Sequence, residues 1–194
     1  MTRTDKRTEK IHSVLRHRQP DLTIVMENIH DPHNVSAMLR SADAVGVMEV
    51  QLVYTTEVFP RIGTKSSASA RKWVSRRKFS SIDECYSALR SEGFRIYATH
   101  LGERAHSLYA LDLIHPTALV FGNEHRGVSD EAAEKADGNF LIPMVGMIQS
   151  LNVSVACAVS LYEAFRQRTE AGQFKSRKFQ KNIFDALFEE WLKK

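Results

Sequence analysis

The sequence predicts an α/β domain: a mostly parallel sheet, helices on both faces, and further helices at the two ends of the chain. Two observations carry this prediction. Short apolar runs rich in β-branched residues alternate with stretches of helical period, the pattern of strands joined by crossover helices. The runs are also punctuated by glycine, proline and asparagine, which end helices and open turns. A chain of 194 residues, 43% hydrophobic and 26% charged, has the size and composition for one such domain with appended helices. The expected division is a basic N-terminal helix over 1–20, the α/β domain over 21–170, and a C-terminal extension helix over 171–194.

Ile11, Val14 and Leu15 share one face of a helix expected from Thr4 to His17, and "RQPD" breaks it. "LTIVME", from Leu22 to Glu27, reads as a short buried strand. "NIHDPHN" then opens a helix that runs to Val45, with Gly46 placed to end it. "VQLVY" is a second strand, and the polar stretch from Thr55 to Arg71 has no period and reads as a long loop. In "SIDECYSALRSEG", Ser81 and Glu84 have capping-box spacing and Gly93 stops the helix. "FRIYAT" and "TALVFG" are the third and fourth strands. "SDEAAEKAD" is a short helix with Ser129 as N-cap and acids in its first turn. "FLIP" is the fifth strand. A long helix is expected from Ser150 to Arg168, and "NIFDALFEEWL" forms a final amphipathic helix.

Several function classes recede on composition. No apolar run approaches the roughly 20 residues of a membrane span. "MTRTDKRTEK" lacks the apolar centre of a signal peptide, so a cytoplasmic protein is expected. Cys85 and Cys157 offer neither a disulfide framework nor metal-ligand spacing. His30 and His33 have no companion ligands at useful spacing, so no metal is expected. The net charge is only +4, but the cations cluster in three segments: from Arg3 to Arg18, from Arg71 to Lys78, and from Arg166 to Lys178. Together, with Trp73, Phe79 and Phe174 nearby for stacking, they point to one polyanion-binding face.

In parallel sheets, ligands bind beyond the carboxyl ends of the strands. Three loops there are unusually polar: "NIHDPHN", "GNEHRG" and "MVGMIQSLN". The second has neither the Lys-Ser/Thr of a P-loop nor a Gly-x-Gly-x-x-Gly companion, and by itself reads as a plain β-to-α turn with Glu124 as a local cap. In the first, Asp31-Pro32 starts a helix. Asn34 and Arg40 stand six residues apart on that helix, within about 60–120° of each other around its axis. Arg40 interrupts an apolar stripe of Val35, Met38, Leu39 and Ala42, so it needs an anionic partner: a substrate phosphate or a buried structural carboxylate. The third loop sets Gly146, Gln149, Ser150 and Asn152 between a strand and a helix, where buried polar groups require partners.

Taken together, "NIHDPHNVSAMLRSADAVG", "LVFGNEHRGVS" and "IPMVGMIQSLNVSVA" resemble the three motifs of the SpoU branch of SPOUT methyltransferases. The resemblance runs from "RQPDLTIVMENIH" to "LYEAFRQR". It implies a deep C-terminal trefoil knot, a homodimer with its active site near the subunit interface, S-adenosylmethionine as methyl donor, and tRNA as partner, with the D-loop guanosine ribose the implied target. Methylation of a ribosomal RNA guanosine or another tRNA ribose, and a catalytically silent RNA-binding protein on the same fold, are the competing readings. By motif position, Asn34, Arg40, Glu124, Ser150 and Asn152 are the implied catalytic or site-organising residues. Thr99, Gly122, Asn123, Glu124, His125, Arg126, Gly127, Ile142, Ser150 and Leu151 are implied to hold the cofactor. Arg7, Lys10, Arg18, Arg166, Arg168 and Lys175 are the expected tRNA phosphate contacts. Arg40 has two open roles: a base, as the family suggests, or a cation gripping phosphate, which suits a guanidinium because that group stays protonated in proteins.

Overall fold

A computed structural model describes residues 3–61, 70–102 and 105–194. Its centre is a seven-stranded sheet: β1 (Leu22–Glu27), β2 (Glu49–Val53), β3 (Ser75–Phe79), β4 (Arg95–Thr99), β5 (His106–Ser107), β6 (Thr117–Phe121) and β7 (Gly138–Leu141). The spatial order is β3-β2-β1-β6-β4-β7-β5, and every pairing is parallel. The order reverses between β1 and β6, the position at which an open parallel sheet leaves a crevice.

Both faces of the sheet are covered. On one, Leu22, Ile24 and Met26 of β1 pack with Leu119 and Phe121 of β6 against α2 (Pro32–Ala44) and α6 (Val153–Glu170). On the other, Val25, Val53, Ala118, Val120 and Ile96 meet α4 (Ile82–Ser91) and α5 (Asp130–Lys135). This alternation follows from the period of two along each strand. The caps are those the side chains dictate: Asp31 accepts from the His33 N–H, Ser81 from Glu84, and Ser129 from Ala132.

Several elements depart from the sequence expectation, among them the two-residue edge strand β5. The basic stretch after Trp73 forms β3, an edge strand pairing only with β2, and a short helix α3 (Ala70–Trp73) precedes it. Exposed cations suit an edge strand, because they discourage pairing with another chain. The long helix begins at Val153, not Ser150, because Asn152 is its N-cap. Of the expected long loop, 62–69 lies outside the described residues, as does most of the Lys65–Trp73 stretch.

The two terminal helices join. Ile11 and Leu15 of α1 (Arg3–Arg16) bury against Phe184 and Trp191 of α7 (Lys181–Leu192), with Trp73 packed alongside. Arg7 donates to the Leu192 carbonyl at 3.0 Å. His17 of the first basic segment also lies 6.3 Å from Phe174 of the third, so the three basic segments adjoin. Their aromatic residues, however, are occupied: Trp73 lies 4.9 Å from Trp191, Phe79 is buried, and Phe174 packs on Phe165 at 5.1 Å.

Two expected phosphate contacts also require correction. Arg18 is 1% exposed and ion-pairs with Asp43 while donating to the Val47 carbonyl at 2.8 Å. Arg168 is 0% exposed. It donates to the carbonyls of Leu113, Asp21 and His115 at 2.8, 3.0 and 2.7 Å, and to the Asp21 carboxylate at 2.9 Å. Both arginines staple segments together from inside and cannot meet a polyanion there.

Candidate active site

The three polar loops do converge, at the carboxyl ends of β1, β6, β4 and β7. The second and third line a cleft of about 610 Å³, and the first adjoins it through hydrogen bonds to Glu124 and Asn152. All ten residues assigned to the cofactor line it: Thr99, Gly122, Asn123, Glu124, His125, Arg126, Gly127, Ile142, Ser150 and Leu151. Asn152 lines it as well. Phe121, Phe140, Val153 and Ala156 give it an apolar floor, and His100, Leu101 and Met144 join the wall. The apolar positions were legible only as core, since periodicity does not separate a core face from a pocket floor.

The turn from Gly122 to Gly127 is built on its two glycines. The Gly127 N–H returns to the Asn123 carbonyl at 2.8 Å, and Gly127 has φ +71°, a conformation that favours glycine. A Cβ on Gly122 would stand 2.1 Å from the Gly127 carbonyl, so only glycine fits beneath the turn. Asn123 donates to the Asn28 carbonyl at 2.9 Å and accepts from the His125 N–H at 3.0 Å. This turn carries Glu124 to the start of α2.

Glu124 is the hub. One carboxylate oxygen accepts from the His30 N–H at 3.0 Å; the other accepts from the Asp31 N–H at 3.1 Å and the Asn34 amide at 2.9 Å. The Asn34 carbonyl oxygen then accepts from the Asn152 amide at 3.1 Å. Asn152 accepts in turn from the Ser154 N–H at 2.9 Å and its hydroxyl at 2.6 Å. A directed chain of hydrogen bonds thus links all three loops and two helix starts. Burial opposes the charge on Glu124. The bonds from Asn34 and from the His30, Glu124 and Asp31 N–H groups outweigh it and hold the carboxyl below the ordinary 4.5. The α2 N-terminus favours the same anion. Nearby, Tyr54 donates to the Ile29 carbonyl at 3.1 Å; burial first, and then the Glu124 charge, raise its phenol, so it remains a donor.

Arg40 and Ser150 differ from this group. Ser150 is exposed at the cleft rim. Arg40 is exposed on α2, does not line the cleft, and has no ion pair among the described residues. The buried structural salt bridge is therefore not what this arginine makes. Among the described residues no three His, Cys, Asp or Glu side chains group as metal ligands. No described helix is long and apolar enough to cross a membrane.

The model of the SpoU rRNA methylase family matches residues 21–162, the whole sheet and all three loops. The chain belongs to the SpoU methylase family. A tRNA (guanosine(18)-2'-O)-methyltransferase of Thermus thermophilus is 46% identical over 192 residues, covering 99% of this chain and 98% of the relative. One from Escherichia coli K12 is 45% identical over 170 residues, covering 87% and 73%. The crystal structure of the Aquifex aeolicus TrmH/SpoU tRNA modifying enzyme superposes with a TM-score of 0.91 at 36% identity, covering 97% of this chain and 96% of that one. A further SpoU methyltransferase structure, AviRb of Streptomyces viridochromogenes in complex with AdoMet, is similar at TM-score 0.68 and 25% identity over 80% of this chain and 62% of that one. The match to relatives of full length includes the terminal helices, which the family model does not reach.

Proposed function

We propose that the chain transfers a methyl group from S-adenosylmethionine to the ribose 2'-hydroxyl of guanosine 18 in the D-loop of tRNA. The observation that carries this is the Glu124–Asn34–Asn152 chain at the mouth of a half-apolar cleft, in a family whose full-length relatives bear that activity in their names. The cleft suits the donor: an apolar floor for the adenine, and polar groups of Thr99, Asn123 and Ser150 for ribose and amino-acid groups. When bound, the cofactor supplies an electrophilic methyl on a sulfonium.

The chain's residues do the rest. Asn34, held from both sides, orients the ribose edge, and alignment of this kind supplies roughly 7–11 kcal/mol of barrier reduction when tight. Glu124, tied to three donors, is a poor base and serves as a fixed negative pole that keeps Asn34 pointing one way. Arg40 is an exposed cation on the same helix and grips substrate phosphate, stabilising negative charge that develops as the hydroxyl loses its proton to solvent water. Its guanidinium is a poor base. The Arg40→Lys variant is therefore expected to keep at least a tenth of wild-type turnover while Arg40→Ala loses about 100-fold; single-turnover methylation rates decide, and equal loss in both would favour the base role or strict bidentate geometry.

Several finer features belong to the same proposal. The trefoil knot is supported by β7 inserting between β4 and β5, and by the gathering of the 122–127 and 142–151 segments on one cleft. A homodimer is supported by Val145, Met147 and Ile148 (106, 100 and 63% exposed) beside the cleft, with Val155 and Tyr162 exposed on α6. Contiguous exposed apolar groups of this kind mark an interface. The tRNA face comprises α1, the end of α6 and the 171–180 segment, where Lys10 and Lys175 are exposed and Arg7 and Arg166 are exposed but already engaged, Arg7 with Leu192 and Arg166 with Glu163 and Glu170. The reaction takes place in the cytoplasm, where tRNA and the methyl donor meet. Incubation with labelled S-adenosylmethionine and tRNA, followed by mapping of 2'-O-methyl sites, tests the reading. A single site at guanosine 18 is expected; transfer to ribosomal RNA alone, or to no RNA, would overturn it.

A further inference from the structure

A second cavity, of about 400 Å³, lies on the other side of the Gly122–Gly127 turn. It shares Asn123, Arg126, Gly127, Val128 and Asp130 with the first cleft, so the two flank that turn and the start of α5. Its floor is Glu27, the last residue of β1, which is 4% exposed. One Glu27 carboxylate oxygen accepts from the Ser129 N–H at 2.9 Å. The other has no hydrogen bond among the described residues, and Glu27 lines the cavity. No cation pairs with Glu27 among the described residues, and no metal-ligand group forms there. A carboxylate so placed is an open acceptor looking for a donor.

The opposite wall supplies complementary chemistry. Thr55 and Thr56 are held in place by Asn28, whose side-chain oxygen accepts from both N–H groups at 2.9 and 3.1 Å. Asn28 adopts φ +51° to do so. The Arg126 guanidinium lies across the rim, bonded to the Thr56 hydroxyl at 3.2 Å and to Glu57 at 2.9 Å, and offers a flat surface on which a base can stack. An acceptor on the floor, donors and a planar cation on the wall, and a volume suited to a small ligand together fit a flipped nucleobase read on its Watson–Crick edge.

We propose that this second cavity receives the guanine base of the substrate nucleoside, with Glu27 accepting from guanine N1–H and its neighbouring amino group, while the ribose lies over the 122–127 turn beside Glu124. Guanine alone among the four bases presents two adjacent donors on that edge. Adenine would set a lone pair at N1 against the carboxylate. This assignment rests on the proposed guanosine-methylating function and names the group that chooses the base.

The test compares methyl transfer to otherwise identical tRNA transcripts bearing guanosine or adenosine at position 18, by the wild-type protein and by Glu27→Gln. The Gln side chain still accepts from the Ser129 N–H but carries one donor and one acceptor, the pairing set for adenine. The guanosine-over-adenosine ratio of kcat/KM is expected to fall by on the order of 100-fold, while S-adenosylmethionine binding by calorimetry stays within about twofold. A second variant, Thr56→Trp, fills the cavity from its exposed rim without touching Glu27. It is expected to abolish transfer to guanosine tRNA at unchanged cofactor affinity, and full transfer by this variant would overturn the assignment even if Glu27→Gln failed to fold. An unchanged base ratio in Glu27→Gln, or an equal loss on both transcripts, overturns it too and leaves Glu27 as a clamp for α5. Absence of transfer by the wild type would overturn the proposed function and this assignment together.

Discussion

Replacing Glu124 by Gln is expected to lower the single-turnover methylation rate about 100-fold, the scale of removing one preorganised polar group from a reacting site. The reason is one of donors and acceptors. Glu124 receives three N–H groups, from His30, Asp31 and Asn34. A Gln amide offers one oxygen and sets its own donor against one of them. Asn34 then loses its anchor, and with it the bond from Asn152. The same substitution carries a pH signature. A carboxyl held below 4.5 in the fold stabilises it at every pH above the unfolded value, and that contribution disappears as pH falls through the folded value. The stability gap between wild type and Glu124→Gln is therefore expected to be constant from neutrality down to about pH 4.5 and to close below it. Chemical denaturation across that range measures the gap. Full turnover in the variant, or a gap that persists at low pH, would remove Glu124 from the centre of the site.

Arg168→Ala is expected to show the largest loss of stability, about 3–5 kcal/mol, the usual cost of removing one member of a buried, hydrogen-bonded ion pair. The guanidinium is wholly buried and holds three carbonyls and the Asp21 carboxylate, so its loss strands acceptors at the start of β1 and ahead of β6. For a domain of this size the melting temperature should drop by on the order of 10 °C. Lysine cannot span that set of acceptors, so Arg168→Lys should recover little. Thermal and urea unfolding report the change. A melting temperature within a degree or two of wild type, coupled to weakened tRNA binding, would instead restore Arg168 to the RNA face.

Arg168 also shows where the sequence was readable and where it was not. Its segment carries several cations and no local acid pattern that marks one of them as internal; Asp21, its partner, lies 147 residues away. Arg18 and Asp43 hide in the same way, 25 residues apart. Spacing along a chain reports neighbours on one helix or strand, not partners across a core. For the same reason Asn34, Glu124 and Asn152 were recognisable as polar residues in special loops, but their order in one hydrogen-bond chain was not. β1, β2 and β6, by contrast, were legible because each is a run buried on both faces. β3 was not, since an edge strand pairing on one side tolerates Ser75, Arg76 and Lys78, and so resembles a basic loop. The start of α6 shifted to Val153 because an asparagine can cap as readily as it can line a pocket.

The union of α1 with α7 has a consequence for how the protein is made. The apolar face of α1 has no lasting cover until residues 181–192 exist. At the usual pace of synthesis, about 5–20 residues per second, that leaves Ile11 and Leu15 waiting roughly 10–35 s after they leave the ribosome. During that interval β1 and β2 can already pair, whereas the first helix remains an uncovered amphipathic segment open to chaperones. Completion of α7 is thus the event that seals the nascent chain, and a ribosome stalled before it would release a protein with its sheet assembled and its first helix undocked.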